Sequence, residues 1–163
     1  MIWVSKATTL VLTASMSAVR TSVVAFDTQI MDLTPLCADP VDLLFGFQMG
    51  GGTDIAKSIA YCQGLVETPS KTLFFLISDL EEFGNRAALL RRIEELKASG
   101  VTVVVLLAIA DGGKPFYDPE TARRIASMGI PCFACAPERL PELLEQALKG
   151  QSLEGLASET GKS

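Results

Sequence analysis

The chain has 163 residues, of which 48% are hydrophobic and 20% charged, with a formal net charge of −5 and no histidine. This length is enough for one domain with a sizeable core. The acidic balance argues against nucleic acid as the main partner. The absence of histidine removes Ser-His-Asp and Cys-His catalysis and every His-ligated metal site.

From the start, Ala7, Leu10, Val11, Ala14 and Ala18 recur at helical spacing, which predicts an amphipathic helix over residues 2–18. The same stretch loosely imitates a signal peptide. Thr8, Thr9 and Thr13 dilute its apolar run and no clean cleavage site follows, so a cytoplasmic location with no membrane partner is expected. "TSVVAFD" (21–27) reads as a buried strand and "QIMDL" (29–33) as a half-exposed one, joined in a hairpin through Asp27-Thr28. Asp39-Pro40 has the form of an N-cap followed by proline and predicts a short helix through Phe45.

The glycine loop "QMGGGTD" (48–54) comes next. It opens a helix from about Thr53 to Val66, with Thr53 or Asp54 as its cap. "KTLFFLISD" (71–79) and "VTVVVLLAIAD" (101–111) are apolar strands flanking an amphipathic helix over 86–100 that stops at Gly100. A helix over 118–129 follows, then a strand in "IPCFAC" and a last helix over 138–149. The domain therefore spans 1–149, and residues 150–163 read as a disordered tail. Apolar strands alternating with helices imply a doubly wound, mostly parallel α/β sheet, with the hairpin supplying one antiparallel edge.

Of the four cysteines, Cys37, Cys62, Cys132 and Cys135, only the last two form a C-x-x-C. Residues three apart in a strand face opposite sides, so buried, reduced thiols are expected rather than a zinc or redox pair.

Ligands of such sheets bind beyond the carboxyl ends of the strands. Here those ends are followed by Asp27-Thr28, by Asp79 with Glu81 and Glu82, and by Asp111. Carboxylate oxygens without histidine suit a hard cation such as Mg²⁺. Glu81 and Glu82 read as solvated. The glycine loop lacks G-x-G-x-x-G spacing and a Gly-Lys-Ser/Thr, so it is not a dinucleotide or phosphate-loop fingerprint. A helix N-terminus can still bind an anion, and a tight turn with no ligand fits the loop too. A Mg²⁺-dependent hydrolase using Asp79 and Asp111, and a phosphate-binding domain using Gly50–Thr53, remain as alternatives.

"VVAFDT", "DPVDLLFGFQMGGGTDIAKSIAYC", "TLFFLISDLEE", "GVTVVVLLAIADGGKPFYD" and "IPCFACAPERLPELL" together resemble a von Willebrand factor A (VWA) domain of the CoxE-like bacterial branch, over residues 2–148. The resemblance implies a Rossmann-like fold and a metal-ion-dependent adhesion site, with Thr53 and Asp79 as metal residues. It also implies a non-enzymatic protein-interaction module. In that role a Mg²⁺ ion accepts an acidic residue of a partner, the partner being a MoxR-type AAA+ ATPase in metalloenzyme maturation.

The family's Asp-x-Ser-x-Ser after the first strand has no counterpart in a usable place. "TASMS" (13–17) has the serine spacing with Thr13 for the aspartate, but it falls inside the predicted first helix. Met1 then stands where a methionine closes that motif, and the expectation is a chain truncated at its N-terminus, with the first central strand missing. Two buried sheet edges would lack partners, so poor stability or oligomerisation, and weak or absent Mg²⁺ binding, would follow. A metal-free interaction remnant is the corresponding alternative.

Overall fold

The computed structural model describes residues 2–5, 20–26, 29–36, 54–82, 84–107, 116–134 and 139–153. Its centre is a six-stranded sheet of order β3-β2-β1-β4-β5-β6. The strands are β1 (Ile2–Ser5), β2 (Ser22–Phe26), β3 (Ile30–Asp32), β4 (Leu73–Ser78), β5 (Thr102–Leu107) and β6 (Cys132–Ala134). All neighbours run parallel except β3, which pairs antiparallel with β2 at the edge (Val24 opposite Asp32, Phe26 opposite Ile30). The doubly wound sheet with one antiparallel edge strand is the architecture expected.

The sheet has no gap in its middle, which corrects the expectation of a missing central strand. β1 fills that place, with Ile2 opposite both Ser22 and Phe74, and Ser5 opposite both Ala25 and Ile77. It also corrects the helix expected over 2–18 at its first residues; residues 6–19 lie outside those described. Two reasons favour the strand. Ile2, Trp3 and Val4 are β-branched or aromatic, types that fit a pleated surface. The facing edges of β2 and β4 carry rows of N–H and C=O groups that need partners. With β1 in place, the argument for instability from two open edges loses its premise.

Four helices are described: α1 (Ile55–Gln63), α2 (Arg86–Ala98), α3 (Pro119–Ser127) and α4 (Leu140–Leu148). Alternation along the strands sorts the core into two layers. Val24, Phe26, Phe74, Leu76, Val103 and Val105 pack with Ile55 and Ile59 of α1, Leu89 and Ile93 of α2, and Ile125 of α3. Val23, Ala25, Phe75, Ile77, Val104 and Leu106 point to the opposite face and are buried as well. Ala147 of α4 lines one cavity with Val104, which sets α4 on that second face. Burial on both faces is why β4 and β5 read as unbroken apolar runs.

Local signals place the helix ends. Asp54, Asn85 and Asp118 each cap the helix that follows, accepting from Lys57 N, Ala88 N and Glu120 N respectively. Gly100 and Gly129 end α2 and α3 with φ of 99° and 72°, a backbone region that favours glycine. Chain order continues past α4, since Leu153 is buried, and residues 154–163 lie outside the description. Cys62 is buried and Cys132 half-buried, both as free thiols. Burial pushes each up to about 12, so both stay protonated at neutral pH. Cys37, Cys135, the predicted helix from Asp39 and the Asp27-Thr28 turn fall outside the described residues.

Candidate functional site

The carboxyl end of β4 carries a connected set of polar contacts. β4 stops at Ser78, and the next four residues are irregular, knit by bonds between side chains and backbone. Asp79, 7% exposed, accepts from Glu81 N at 3.1 Å through Oδ1. Ser78 Oγ accepts from Leu80 N at 3.0 Å and lies 3.5 Å from Asp79 Oδ1. Leu80 has φ 59°, the one positive value at a non-glycine among the described residues, and its side chain is fully buried. An L-residue in this region costs roughly 1–2 kcal/mol, so the surrounding bonds and the leucine's burial must over-determine it.

Glu82 was expected to be solvated, and the structure corrects this. Its Oε2 accepts from Ile55 N at 2.8 Å and Ala56 N at 3.1 Å, the first two N–H groups of α1. Its Oε1 accepts from Gly84 N at 2.7 Å. Those α1 donors have no partner within the helix, and the positive end of the helix dipole favours a carboxylate there. A Cβ at Gly84 would meet Glu82 Oε1 at 2.8 Å, so a side chain there would make the flexible end of Glu82 shift. No local pattern announces the contact, because donor and acceptor are 26 and 27 residues apart.

The turn is also tied to α3. Asp79 O accepts from Asp118 N at 2.8 Å. Asp118 in turn caps α3 with its side chain and pairs with Arg86, the first residue of α2, at 2.8 Å. Burial pushes the Asp118 carboxyl up, but the Thr121 hydroxyl, two backbone N–H groups and Arg86 outweigh it and hold it below the usual range. An open cleft of about 460 Å³ lies beside the turn, lined by Glu81, Glu82, Arg86, Tyr117, Asp118 and Pro119. Phe116, at 55% exposed, adjoins it in sequence.

Of the residues expected to hold metal, Asp79 is where expected, at the carboxyl end of a central strand. Thr53 lies outside the described residues, though its neighbour Asp54 caps α1, and Glu82 bridges from the Asp79 turn to that same helix end. Asp111 also lies outside. Among the described residues no three or more Asp, Glu, Cys or His side chains converge as a metal cluster. Asp79 is a single oxygen donor that fits a hard cation, and the described residues alone do not complete a coordination shell. From the last residue of β1 the chain reads Ser5-Lys6-Ala7-Thr8-Thr9, without a carboxylate. No described helix is long and apolar enough to cross a membrane.

Comparison with known proteins agrees with this architecture. The chain is 38% identical over 131 residues to the uncharacterized protein YehP of Escherichia coli K12, covering 80% of this chain and 35% of that protein. It thus spans about a third of the length of this curated relative. An aerotolerance-related membrane protein from Bacteroides fragilis superposes with a TM-score of 0.64 at 16% identity, covering 93% of this chain and 98% of that one. The manganese-loaded TRAP protein of Plasmodium vivax gives 0.58 at 16% identity, over 77% of this chain and 61% of that one. At such identities these structures speak for the fold alone. The family profile described as "VWA domain containing CoxE-like protein" matches residues 1–144, and the chain belongs to that family.

Proposed function

We propose that this VWA domain docks a partner protein at the carboxyl end of its sheet, with a divalent cation held at Thr53 and Asp79. The family is one of protein-interaction modules. The observation that carries the reading is the Asp79 turn. A nearly buried carboxylate sits in a strained turn at the end of a central strand, stitched by Glu82, three residues on, to the helix that follows Gly-Gly-Gly-Thr-Asp. Strain retained at such a place is a mark of function.

The cation is Mg²⁺, in keeping with oxygen-only donors, and it supplies an open position for an acidic side chain of the partner. The partner is a MoxR-type AAA+ ATPase acting in metalloenzyme maturation, and the module works in the cytoplasm. The chain's own residues hold the ion and orient the docking face; no chemical step is assigned to them. The phosphate-binding alternative loses support because Glu82 already occupies the α1 N–H groups that a phosphate would need. The metal-free interaction alternative draws on the absence of a three-residue acidic cluster among the described residues.

Calorimetric titration with MgCl₂ and MnCl₂, on the wild type and on Asp79→Ala and Thr53→Ala, tests the metal. Saturable 1:1 binding lost in both variants supports it; no heat in the wild type sinks it and leaves the metal-free module. Co-purification with the ATPase, abolished by Asp79→Ala, tests the partner. Co-purification that ignores Asp79→Ala would move the docking face elsewhere.

A further inference from the structure

We propose that Glu82 is a positioning residue: it clasps the start of α1 to the Asp79 turn, so that the helix start and the turn move as one unit. The inference rests on the docking reading above for its consequence, but its geometry stands independently. α1 already has a local cap, because Asp54 Oδ1 accepts from Lys57 N. That leaves the N–H groups of Ile55 and Ala56, which water could satisfy at a helix end. They go instead to a carboxylate from the turn that carries Asp79.

Both oxygens of that carboxylate are used, one toward α1 and one toward Gly84 of its own loop. A glutamate held at a single oxygen would leave the helix start and the turn freer to drift. Held at both, it fixes the distance between the α1 start, next to Thr53, and the turn containing Asp79. The opposite side of the turn is pinned as well, since Asp79 O accepts from Asp118 N at the start of α3. The short segment 79–82 thus joins the beginnings of two helices, and through the Asp118–Arg86 pair it reaches a third. A shift of Asp79 on docking would be felt at all three.

Gly84 allows a test that keeps the charge. In Gly84→Ala the new Cβ displaces the Glu82 carboxylate from 2.8 Å while its charge and the residue-84 N–H both remain. The experiment measures amide hydrogen exchange and Mn²⁺ affinity in the wild type, Glu82→Ala, Glu82→Gln and Gly84→Ala. Exchange at Ile55 and Ala56 should speed up by about tenfold in Glu82→Ala and Gly84→Ala, together with Glu81 and Asp118 across the turn. The amides of β5 should be unchanged, and Glu82→Gln, which keeps one acceptor oxygen, should fall between. Mn²⁺ affinity should fall in the same order.

Unchanged exchange at Ile55 and Ala56 would show that there is no clasp. Faster exchange confined to those two amides, with Glu81 and Asp118 protected, would reduce Glu82 to an ordinary cap and overturn the proposal. Full Mn²⁺ affinity in Gly84→Ala would do the same. A wild type that binds no Mn²⁺ defeats the metal reading, while the exchange pattern still decides the clasp.

Discussion

The two ends of the sheet differ in how they are built. At the amino ends of β5 and β6 a cavity of about 520 Å³ opens among Thr102, Val104, Pro131, Cys132, Ala147 and Leu153. Its lining is mostly apolar, and its thiol, Cys132, is held protonated by burial. At the carboxyl end of β4 there is less enclosed space but far more constraint. There, Asp79 and Glu82 accept from backbone donors in three separate parts of the chain, and Leu80 N donates to Ser78 Oγ. Volume marks where packing is incomplete, and constraint marks where side chains are held for a purpose. In open α/β sheets ligands bind at the carboxyl end, and here that end is the constrained one.

The contrast breaks most sharply at Leu80. Leu80→Ala should destabilise the fold by about 3 kcal/mol in urea unfolding, as large-to-small core changes do. Leu80→Gly removes more side chain but relieves the positive φ, so it should cost about the same or slightly less despite losing a further methyl. A Leu80→Gly variant much weaker than Leu80→Ala would show that the turn is not strained.

Next in size is Asp118→Ala, which removes the α3 cap and the Arg86 pair together. A loss of about 1–2 kcal/mol is expected. Asp118→Asn keeps the capping oxygen Oδ1 and gives up the acceptor Oδ2, which pairs with a partly exposed Arg86 and accepts from Thr121 Oγ1, so its cost should stay below that of Asp118→Ala, at about 1 kcal/mol. Equal losses in the two variants would make the ion pair, not the cap, the stabilising part.

At the other end, Ala147→Leu grows into the cavity and should raise stability by about 0.5–1 kcal/mol. A loss instead would mean that the space is shaped by its walls rather than underfilled.

The smallest effect is the response to acid. Asp118 and Asp32 both have carboxyls held below the ordinary value of 3.8. Groups lowered by folding bind fewer protons in the native state, so their contribution is full above the ordinary value. It is lost as pH falls below 3.8 through the lowered folded value. Urea midpoints should therefore fall as the pH drops below 3.8, and less steeply in Asp118→Asn. Identical acid slopes in the variant and the wild type would remove Asp118 from the acid response.

Much of this was legible in the residues. The apolar runs of β4 and β5, the Asp54 and Asp118 caps and the glycine stops of α2 and α3 follow from local chemistry. Asp79 was placed by its position after a buried strand. Glu82 was not legible, because its partners lie on another helix and neither sequence pattern hints at the other. The first strand is hidden for a related reason. Helical spacing begins only at Ala7, whereas Ile2–Ser5 pair with strands that begin at Ser22 and Leu73.

The sequence by itself determined the alternation of elements, their ends and the acidic character of one sheet edge, because those depend on neighbours a few residues away. Only the tertiary structure decided which strand fills the centre of the sheet and which carboxylate closes the start of α1. Both are choices among distant partners, made by unpaired backbone groups that must find donors or acceptors wherever the fold brings them.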